Sequence, residues 1–315
     1  MSSPSPNTDP AFYLAGPTGS GKSAIALALA ERIGQRAAIV NADAFQLYRG
    51  YEILSAAPSA EDRLRIPHRL YGELALTENC DAARFAKFAR ETIDQLAADG
   101  ILPIVVGGSG LYLKSLTHGL APTPPGDPAL REKLDALSLD ELVAWYERED
   151  PNGAAATNLR NRRYVTRNLE ITLLSGQPAS VLKKEFAESA PSIRGVVIER
   201  DREDLYDRIN RRTPAMFAEG VVDEIRALAD IDISVTAEKA IGLSEIRAVI
   251  AGKLSEPEAI EQIQQATRRY AKRQGTWFRR ETVFQTVCLL PTETPDSAAD
   301  RILNLFPHLG QPSDF

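Results

Sequence analysis

The stretch that decides the fold is Gly16-Pro17-Thr18-Gly19-Ser20-Gly21-Lys22-Ser23. An apolar run over residues 11–15 precedes it, and an Ala/Leu/Ile-rich segment follows it as far as Gly34. This order predicts a strand, a glycine-rich loop and a helix with a glycine C-cap. The octapeptide fits G-x-x-x-x-G-K-[ST], and the strand–loop–helix context is the one in which that pattern binds phosphate.

The residue types of this octapeptide suit a phosphate chemically. Glycines let backbone N–H groups turn toward phosphate oxygens, and the helix N-terminus adds positive potential. Lys22 reaches the terminal phosphates, and the Ser23 hydroxyl is a ligand for Mg²⁺, the cofactor that we expect. A chance glycine-rich turn is the alternative, which both spacing and context disfavour. We therefore predict a diphosphate site over 16–23, which by itself does not name the reaction.

Strands and helices alternate beyond this unit. Apolar runs at 37–41, 101–106 and 195–199 predict strands, and residues 83–98 predict an amphipathic helix. The alternation indicates an α/β fold, a P-loop NTPase-like parallel sheet flanked by helices. Further helices are predicted at 204–212 and at 257–280, so the C-terminal part is mostly helical.

The pattern changes at the proline-rich segment 121–128, which is typical of a hinge. From residue 129 to 186 the signals are all helical, with helices predicted at 139–149 and 160–174. We predict a disordered tail at 1–10, a catalytic core from 11–120 and 195–290, a helical insertion at 121–194, and a C-terminal tail at 291–315.

Composition restricts the class of protein. The three histidines are scattered, and Cys80 and Cys288 lie outside any metal or redox spacing, which disfavours a zinc site and favours the reduced cytoplasm. The longest apolar run is too short to cross a bilayer, so no membrane partner is expected. The net charge of −6 means that any nucleic-acid contact needs a local basic face. No feature indicates an oligomer, so we expect a monomer.

Two further stretches discriminate among P-loop proteins: DAFQLYRG at 43–50 and VGGSGLY at 106–112. Together with the phosphate loop they resemble the tRNA dimethylallyltransferase family (isopentenylpyrophosphate:tRNA transferases). Later stretches that agree with it lie at 161–163, 167–170, 175–178, 208–216 and 270–279. The resemblance spans roughly residues 11–280.

The resemblance implies transfer of a dimethylallyl group from its diphosphate to N6 of the adenine on the 3′ side of the tRNA anticodon. It implies that Asp43 is the general base for the amine and that Ser109 lies near the adenine. The tRNA-contacting set that it implies in the second motif is Asp43, Ala44, Phe45 and Gln46. The residues alone leave other roles open: Asp43 as an N-cap or a Mg²⁺ partner, and Ser109 as a turn residue.

The predicted chemistry fits this reaction. The three motifs follow parallel strands, whose carboxyl ends meet at one edge of the sheet. There the charge on the leaving diphosphate would be stabilised by Lys22, the loop amides and bound Mg²⁺. Arg208 and Arg212, which lie in a segment that resembles the family's phosphate-side helix, would add to this stabilisation. The acceptor amine is a poor nucleophile, so a carboxylate that takes its proton assists bond formation.

Basic residues of two helical segments form the expected RNA face. They are Arg160, Arg162, Arg163 and Arg167 in the insertion, and Arg268, Arg269, Lys272 and Arg273 in the last long helix. We take Arg163, Arg167 and Arg273 as tRNA contacts, with an anticodon stem-loop as the partner. A solvated charged face is the equal alternative for the last helix.

The chain departs from the family pattern at several positions. Ala57 stands where the family has a lysine, and Arg69 and Gly72 replace the second histidine and the aspartate of a His-His-x-x-Asp stretch. Tyr164 replaces an arginine, and Leu243 replaces a tyrosine. The phosphate loop and Asp43 are intact, so we expect an active enzyme whose substrate range or rate can differ.

Three other functions fit parts of the sequence. An adenylate dimethylallyltransferase would prenylate free AMP, but a free nucleotide does not need an arginine-rich insertion. A P-loop kinase would use ATP without a prenyl donor, and GGSGLY and YAKRQ argue against it. A non-catalytic RNA-binding module is disfavoured because Lys22, Ser23 and Asp43 are all retained.

Overall fold

The computed structural model describes residues 8–120, 123–186 and 192–311. Its strands are β1 (Thr8–Ala15), β2 (Ala37–Asn41), β3 (His68–Arg69), β4 (Leu102–Gly107), β5 (Ser192–Arg200) and β6 (Gln285–Leu289). They form a six-stranded sheet in the order β3-β2-β4-β1-β5-β6, and every strand pair is parallel. The predicted fold class is confirmed, while β3 and β6 were not predicted.

The helices connect and flank these strands. They are α1 (Lys22–Ile33), α2 (Ala60–Arg65), α3 (Ala82–Ala98), α4 (Gly110–Thr117), α5 (Pro128–Asp135), α6 (Leu139–Glu149), α7 (Pro151–Ala156), α8 (Arg162–Ser175), α9 (Ala179–Phe186), α10 (Arg202–Ala218), α11 (Val221–Arg226), α12 (Leu243–Ile250), α13 (Glu256–Phe278) and α14 (Pro295–Leu305). The chain divides into two compact units, Met1–Thr117 with Pro191–Phe315, and His118–Ala190.

The sheet is the centre of the first unit. Strands β2 and β4 are buried along their whole length, as expected of parallel strands covered on both faces. Apolar side chains of the sheet, among them Phe12, Ile39 and Ile198, form one cluster with Leu29 of α1 and Ile302 of α14. This core fixes the ends of the strands from which the loops of the site emerge.

The segment 291–315, predicted as a tail, contains α14, so that prediction was wrong. Thr294 accepts a hydrogen bond from the Ser297 N–H and begins the helix, and α14 buries Ala298, Ala299 and Ile302 completely. Its small residues allow close packing on α1. Arg32 of α1 pairs with Asp296 and Asp300 of α14.

At the other end, β1 begins at Thr8, inside the predicted disordered tail. Asp9 is buried because its carboxylate accepts hydrogen bonds from the Tyr13 hydroxyl and from Arg90 at 3.0 Å each. This buried ion pair ties the start of the strand to α3. Residues 1–7 of the predicted tail lie outside the described residues.

Helix α10 continues to Ala218, six residues beyond its predicted end, although it contains Pro214. Proline lacks the N–H that would bond the carbonyl of Asn210 four residues earlier. The Nε2 of Gln264 in α13 donates to this carbonyl instead, at 2.9 Å. Helix α13 is therefore anchored on α10 at the point where α10 lacks its own hydrogen bond.

The second unit is helical, as predicted for the insertion, and has its own core of Leu134, Leu142, Tyr146, Ala154, Val165 and Leu169. The Glu170 side chain is completely buried in it and accepts hydrogen bonds from Arg131 at 3.0 Å and Arg167 at 2.6 Å. In the part of the chain that the structure describes, no helix has the length and apolar character of a membrane span.

Candidate active site

The phosphate loop joins β1 to α1. The Gly16 N–H donates to Gly107 O of β4 at 3.2 Å, and the Ser20 N–H donates to Pro17 O at 3.2 Å. The first N–H of α1 with an acceptor inside the helix is that of Ile25, which bonds Gly21 O at 3.1 Å. The preceding N–H groups of 22–24 therefore project from the helix start, the arrangement that binds an anion.

Two arginines hold the outside of this loop. The Nε of Arg208 donates to Gly19 O at 2.8 Å, and the Nε of Arg200 donates to Ser20 O at 2.8 Å. Arg200 is itself fixed by a buried ion pair with Asp204 at 2.8 Å. Arg208, predicted as a diphosphate ligand, uses one N–H on the loop backbone, while its Nη2 lies 3.2 Å from the position of a Cβ on Gly21. Both guanidiniums thus lie beside the loop and add positive charge there.

Asp43 begins the loop after β2 and is held by Asn41, the buried last residue of that strand. The Asn41 side chain accepts the Asp43 N–H at 2.7 Å and donates to Asp43 O and Leu70 O. The Asp43 carboxylate accepts the Phe45 N–H at 3.1 Å. One carboxylate oxygen is therefore used in an Asx turn, and the backbone that carries the group is fixed on both sides.

The glycines of the third motif let α13 approach closely. A Cβ on Gly108 would lie 2.5 Å from Gln274 Nε2, and a Cβ on Gly110 would lie 2.6 Å from the Trp277 ring. Ser109 lies between them, and its hydroxyl accepts the Ala44 N–H at 3.2 Å. Ser109 thus connects the third motif to the Asp43 loop, as the two motifs were predicted to meet.

Helix α13 supplies the opposite wall through residues at helical spacing. Tyr270 lies beside Ser109, and burial together with the Asp43 charge raises the pKa of its hydroxyl to about 12. Tyr270 is therefore neutral at physiological pH and able to donate a hydrogen bond. Tyr112 and Tyr48 are packing residues, since both are buried and Tyr112 stacks on Phe85 with ring centroids 4.1 Å apart.

A cleft opens between these elements. Its polar lining includes Thr18 of the phosphate loop, Asp43, Arg212 and Tyr270; its apolar lining includes Phe45, Leu54, Met216 and Ile263. A second cleft shares Arg212 and Met216 with it. One residue of the phosphate loop, a carboxylate and an apolar surface therefore line one space.

Two cations, Lys22 of the phosphate loop and Arg212 of the cleft, are partly stripped of water. Burial lowers the pKa of Lys22; the Asp43 carboxylate opposes this shift, and the Arg212 charge adds to it. Burial likewise lowers the pKa of Arg212, against the attraction of Asp43. The Arg212 Nε is buried without a hydrogen-bond partner among the described residues. Because buried donors normally have acceptors, this N–H favours an anionic ligand in the cleft.

A metal would have few protein ligands here. In the described ranges, no group of three or more His, Cys, Asp or Glu side chains is arranged to hold a metal ion. Ser23 is exposed at the start of α1. A hydroxyl at the end of a phosphate loop fits Mg²⁺, which keeps most of its coordination for water and phosphate oxygens.

The predicted tRNA contacts differ in their surroundings. Gln46 donates from Nε2 to Ser55 O and Ala56 O, at 3.0 and 2.9 Å, so its amide N–H groups hold a loop of the protein. Arg163 is exposed, whereas Arg167 bonds Glu170 and, at 2.8 Å, Pro124 O. The structure thus gives Arg167 a structural contact within the second unit.

On α13, Arg273 is exposed and stacks over the Tyr270 ring at 5.6 Å. Sequence reasoning gave no role to Asn41, Arg200, Tyr270 or Gln274, all of which contact the loops of the site. The signal for two of them was present, since Tyr270 and Gln274 are four residues apart on one helix face. Asn41 also was detectable as a polar residue that ends an apolar run.

Comparison with known proteins identifies the family. The IPP transferase family model matches residues 46–281, well over half of the chain. The chain belongs to the IPP transferase family. Its sequence is similar to the tRNA dimethylallyltransferase of Akkermansia muciniphila, with 43% identity over 297 residues that cover 94% of this chain and 99% of the relative. The corresponding enzyme of Geobacter sulfurreducens is 41% identical over 280 residues, covering 86% and 89%. The family resemblance found in the motifs is confirmed.

Solved structures of IPP transferases share the fold. The crystal structure of the full-length tRNA isopentenylpyrophosphate transferase of Bacillus halodurans has a TM-score of 0.70 at 30% identity, covering 97% of this chain and 98% of its own. A eukaryotic dimethylallyltransferase acting on tRNA has a TM-score of 0.81, covering 95% and 78%; at 22% identity it shows the fold alone. The similarity to the bacterial relatives extends over nearly the whole chain.

Proposed function

We propose that the protein transfers a dimethylallyl group from dimethylallyl diphosphate to N6 of the adenine 3′-adjacent to the anticodon of tRNA, releasing diphosphate. One observation carries the proposal: Thr18 of the phosphate loop lines a single cleft together with Asp43, Arg212 and an apolar surface. The reaction needs these three features, a site for diphosphate, a proton acceptor and a dry pocket for the allyl group. The relatives named above are tRNA dimethylallyltransferases.

On the donor side, the bond between the allylic carbon and the diphosphate oxygen breaks, and the leaving diphosphate gains negative charge. The N–H groups of 22–24 at the start of α1, the Lys22 ammonium and the Arg212 guanidinium stabilise that charge. These groups are fixed in place before the reaction and partly buried, so they act more strongly than they would in water. Arg208 adds charge from outside the loop.

The Ser23 hydroxyl would hold Mg²⁺ beside the diphosphate. When bound, the ion neutralises charge on the diphosphate oxygens and makes it a better leaving group. Lys22, on the same turn, would bind the diphosphate as the ion's partner. The family motif and the exposure of Ser23 support this assignment.

On the acceptor side, the adenine amine attacks the allylic carbon as the donor bond breaks. The Asp43 carboxylate takes the proton of that amine, which leaves a neutral secondary amine as the product. Ser109 and Tyr270 provide hydroxyl groups next to this carboxylate for orienting the base. The adenine must leave its stacked position in the anticodon loop to reach them.

For tRNA binding, the exposed cations Arg163 and Arg273 are the better candidates for phosphate contacts. Asp43 and Phe45 line the cleft, and residues 43–46 would meet the target base, with Gln46 also holding the 55–56 loop. Arg167 would contribute by holding the hinge segment, through Pro124 O, as well as by charge. A monomer in the cytoplasm fits a tRNA substrate.

A transfer assay tests this proposal. Radiolabelled dimethylallyl diphosphate and Mg²⁺ are offered with an anticodon stem-loop, and with a matched stem-loop in which guanine replaces the target adenine. Label on the adenine stem-loop alone is the expected result. Equal labelling of both stem-loops would contradict the assignment of the acceptor, and no labelling of either would contradict the reaction.

A further inference from the structure

One face of α13 touches two loops of the site. Its residue Gln274 is buried, with 5% of its surface exposed, and its Oε1 accepts the Thr18 N–H of the phosphate loop at 2.9 Å. Its Nε2 donates to Gly108 O, beside Ser109, at 2.8 Å. A single side chain therefore bridges the loop that receives the donor and the loop that faces the acceptor.

The chemistry of an amide suits this bridge. It needs an acceptor on one side and a donor on the other, and an amide carries both on one rigid plane. The approach also requires Gly108, because a Cβ there would lie 2.7 Å from Gly16 O as well as against the amide. The two loops are thus held close, and the bridge fills the space between them.

We propose that Gln274 is a positioning residue that sets the separation between bound diphosphate and the acceptor adenine. The inference rests on the proposed function. The link extends from Gly108 through Ser109, whose hydroxyl accepts the Ala44 N–H, to the loop that carries Asp43. The phosphate loop and the general base are therefore fixed relative to one another through one helix side chain.

The bridge also selects which amides bind phosphate. The Thr18 N–H is occupied by Gln274 and the Ser20 N–H by Pro17 O, so neither is directed at a ligand. Diphosphate then binds to the N–H groups at the start of α1 and to Lys22, farther along the loop. This places the leaving group at the start of α1.

Three variants test the bridge: Gln274→Ala, Gln274→Glu and Gln264→Ala. Gln274→Glu keeps the acceptor for the Thr18 N–H but loses the donor to Gly108 O. Gln264→Ala is a matched control on the same helix, where the amide bonds Asn210 outside the site. Both Gln274 variants should lower kcat by about tenfold to a hundredfold, because small misplacements of reacting groups are costly. KM for the stem-loop should change by less than twofold. Gln264→Ala should leave kcat within twofold, although it lowers stability.

Hydrogen exchange gives a readout independent of activity. Exchange in a peptide covering residues 13–22 should accelerate in Gln274→Ala but not in Gln264→Ala. Normal kcat in folded Gln274→Ala, or unchanged exchange of that peptide, would overturn the inference. If the wild-type protein transfers no label, the proposed function fails, and the exchange data still decide whether Gln274 holds the phosphate loop.

Discussion

Replacing Asp43 by asparagine isolates the role of its charge. The asparagine oxygen can still accept the Phe45 N–H, and the contacts from Asn41 to the backbone of residue 43 do not involve the carboxylate. The loop should therefore keep its conformation. What is lost is the proton acceptor, together with a negative charge that raises the pKa of both Lys22 and Arg212.

Loss of a general base typically costs about 10²–10⁴ in rate, which corresponds to about 2.7–5.4 kcal/mol in the barrier. We expect Asp43→Asn to fall in this range, because nothing in the structure provides a second carboxylate on the described cleft lining. Single-turnover transfer to a saturating stem-loop measures it, with tRNA affinity expected to change less than threefold. Asp300→Asn, which removes a carboxylate on the outer surface of α14, is the control.

Turnover of Asp43→Asn within fivefold of wild type would show that Asp43 is not the general base. Asp43 would then serve as an Asx-turn residue that shapes the loop, and the proton would leave by another route. A large fall in tRNA affinity at normal single-turnover rate would assign the carboxylate to binding.

Other predictions concern the third motif and the second unit. Gly110→Ala should cost about 1–3 kcal/mol of stability by displacing Trp277, measured by chemical denaturation, and should lower turnover because Ser109 is the preceding residue. Arg163→Ala should reduce the slope of log K for tRNA binding against log salt concentration by about one. Arg167→Ala should chiefly lower the melting temperature of the second unit. Burial raises the pKa of Glu170, but its arginine partners outweigh this and hold the pKa below its ordinary value. The stability that the ionised Glu170 gives the fold is therefore present at neutral pH and is lost as the pH falls below about 4. Glu170→Gln should abolish this acid dependence of stability.

Local patterns predicted much of the sheet and of the phosphate site. The runs that became β1, β2, β4 and β5 are apolar because both faces of a parallel sheet are covered, and the glycine-rich octapeptide needs no distant partner to be recognised. Those signals lie within a few consecutive residues. The prediction that three motifs meet at one sheet edge follows from parallel strands, and it is confirmed by the contacts of Ser109 with Ala44 and of Gly16 with Gly107.

The failures have a common physical cause, long-range packing. Strand β6 has exposed positions at one edge of the sheet and a weak apolar pattern, and its place beside β5 depends on tertiary contacts. Helix α14 has a local start signal in Thr294 and Pro295, but its burial on α1, more than two hundred residues earlier in sequence, is a long-range contact. Arg167 reads as an exposed cation, yet its partner Glu170 is one helical turn away and buried.

The bridge through Gln274 was missed for a related reason. Its two partners lie 256 and 166 residues away, and glutamine in a basic helix reads as a solvated residue. Only the glycines at 108 and 110 hinted that another element approaches the third motif closely. Their role is clear once α13 is placed against that loop.

The most direct test of prenyl transfer to tRNA is a competition between two acceptors for one donor. Labelled dimethylallyl diphosphate and Mg²⁺ are mixed with an anticodon stem-loop and an excess of AMP, and the products are separated and identified by mass spectrometry. We predict label on N6 of the adenine 3′-adjacent to the anticodon, with AMP unmodified. Label on AMP with none on the stem-loop would contradict it.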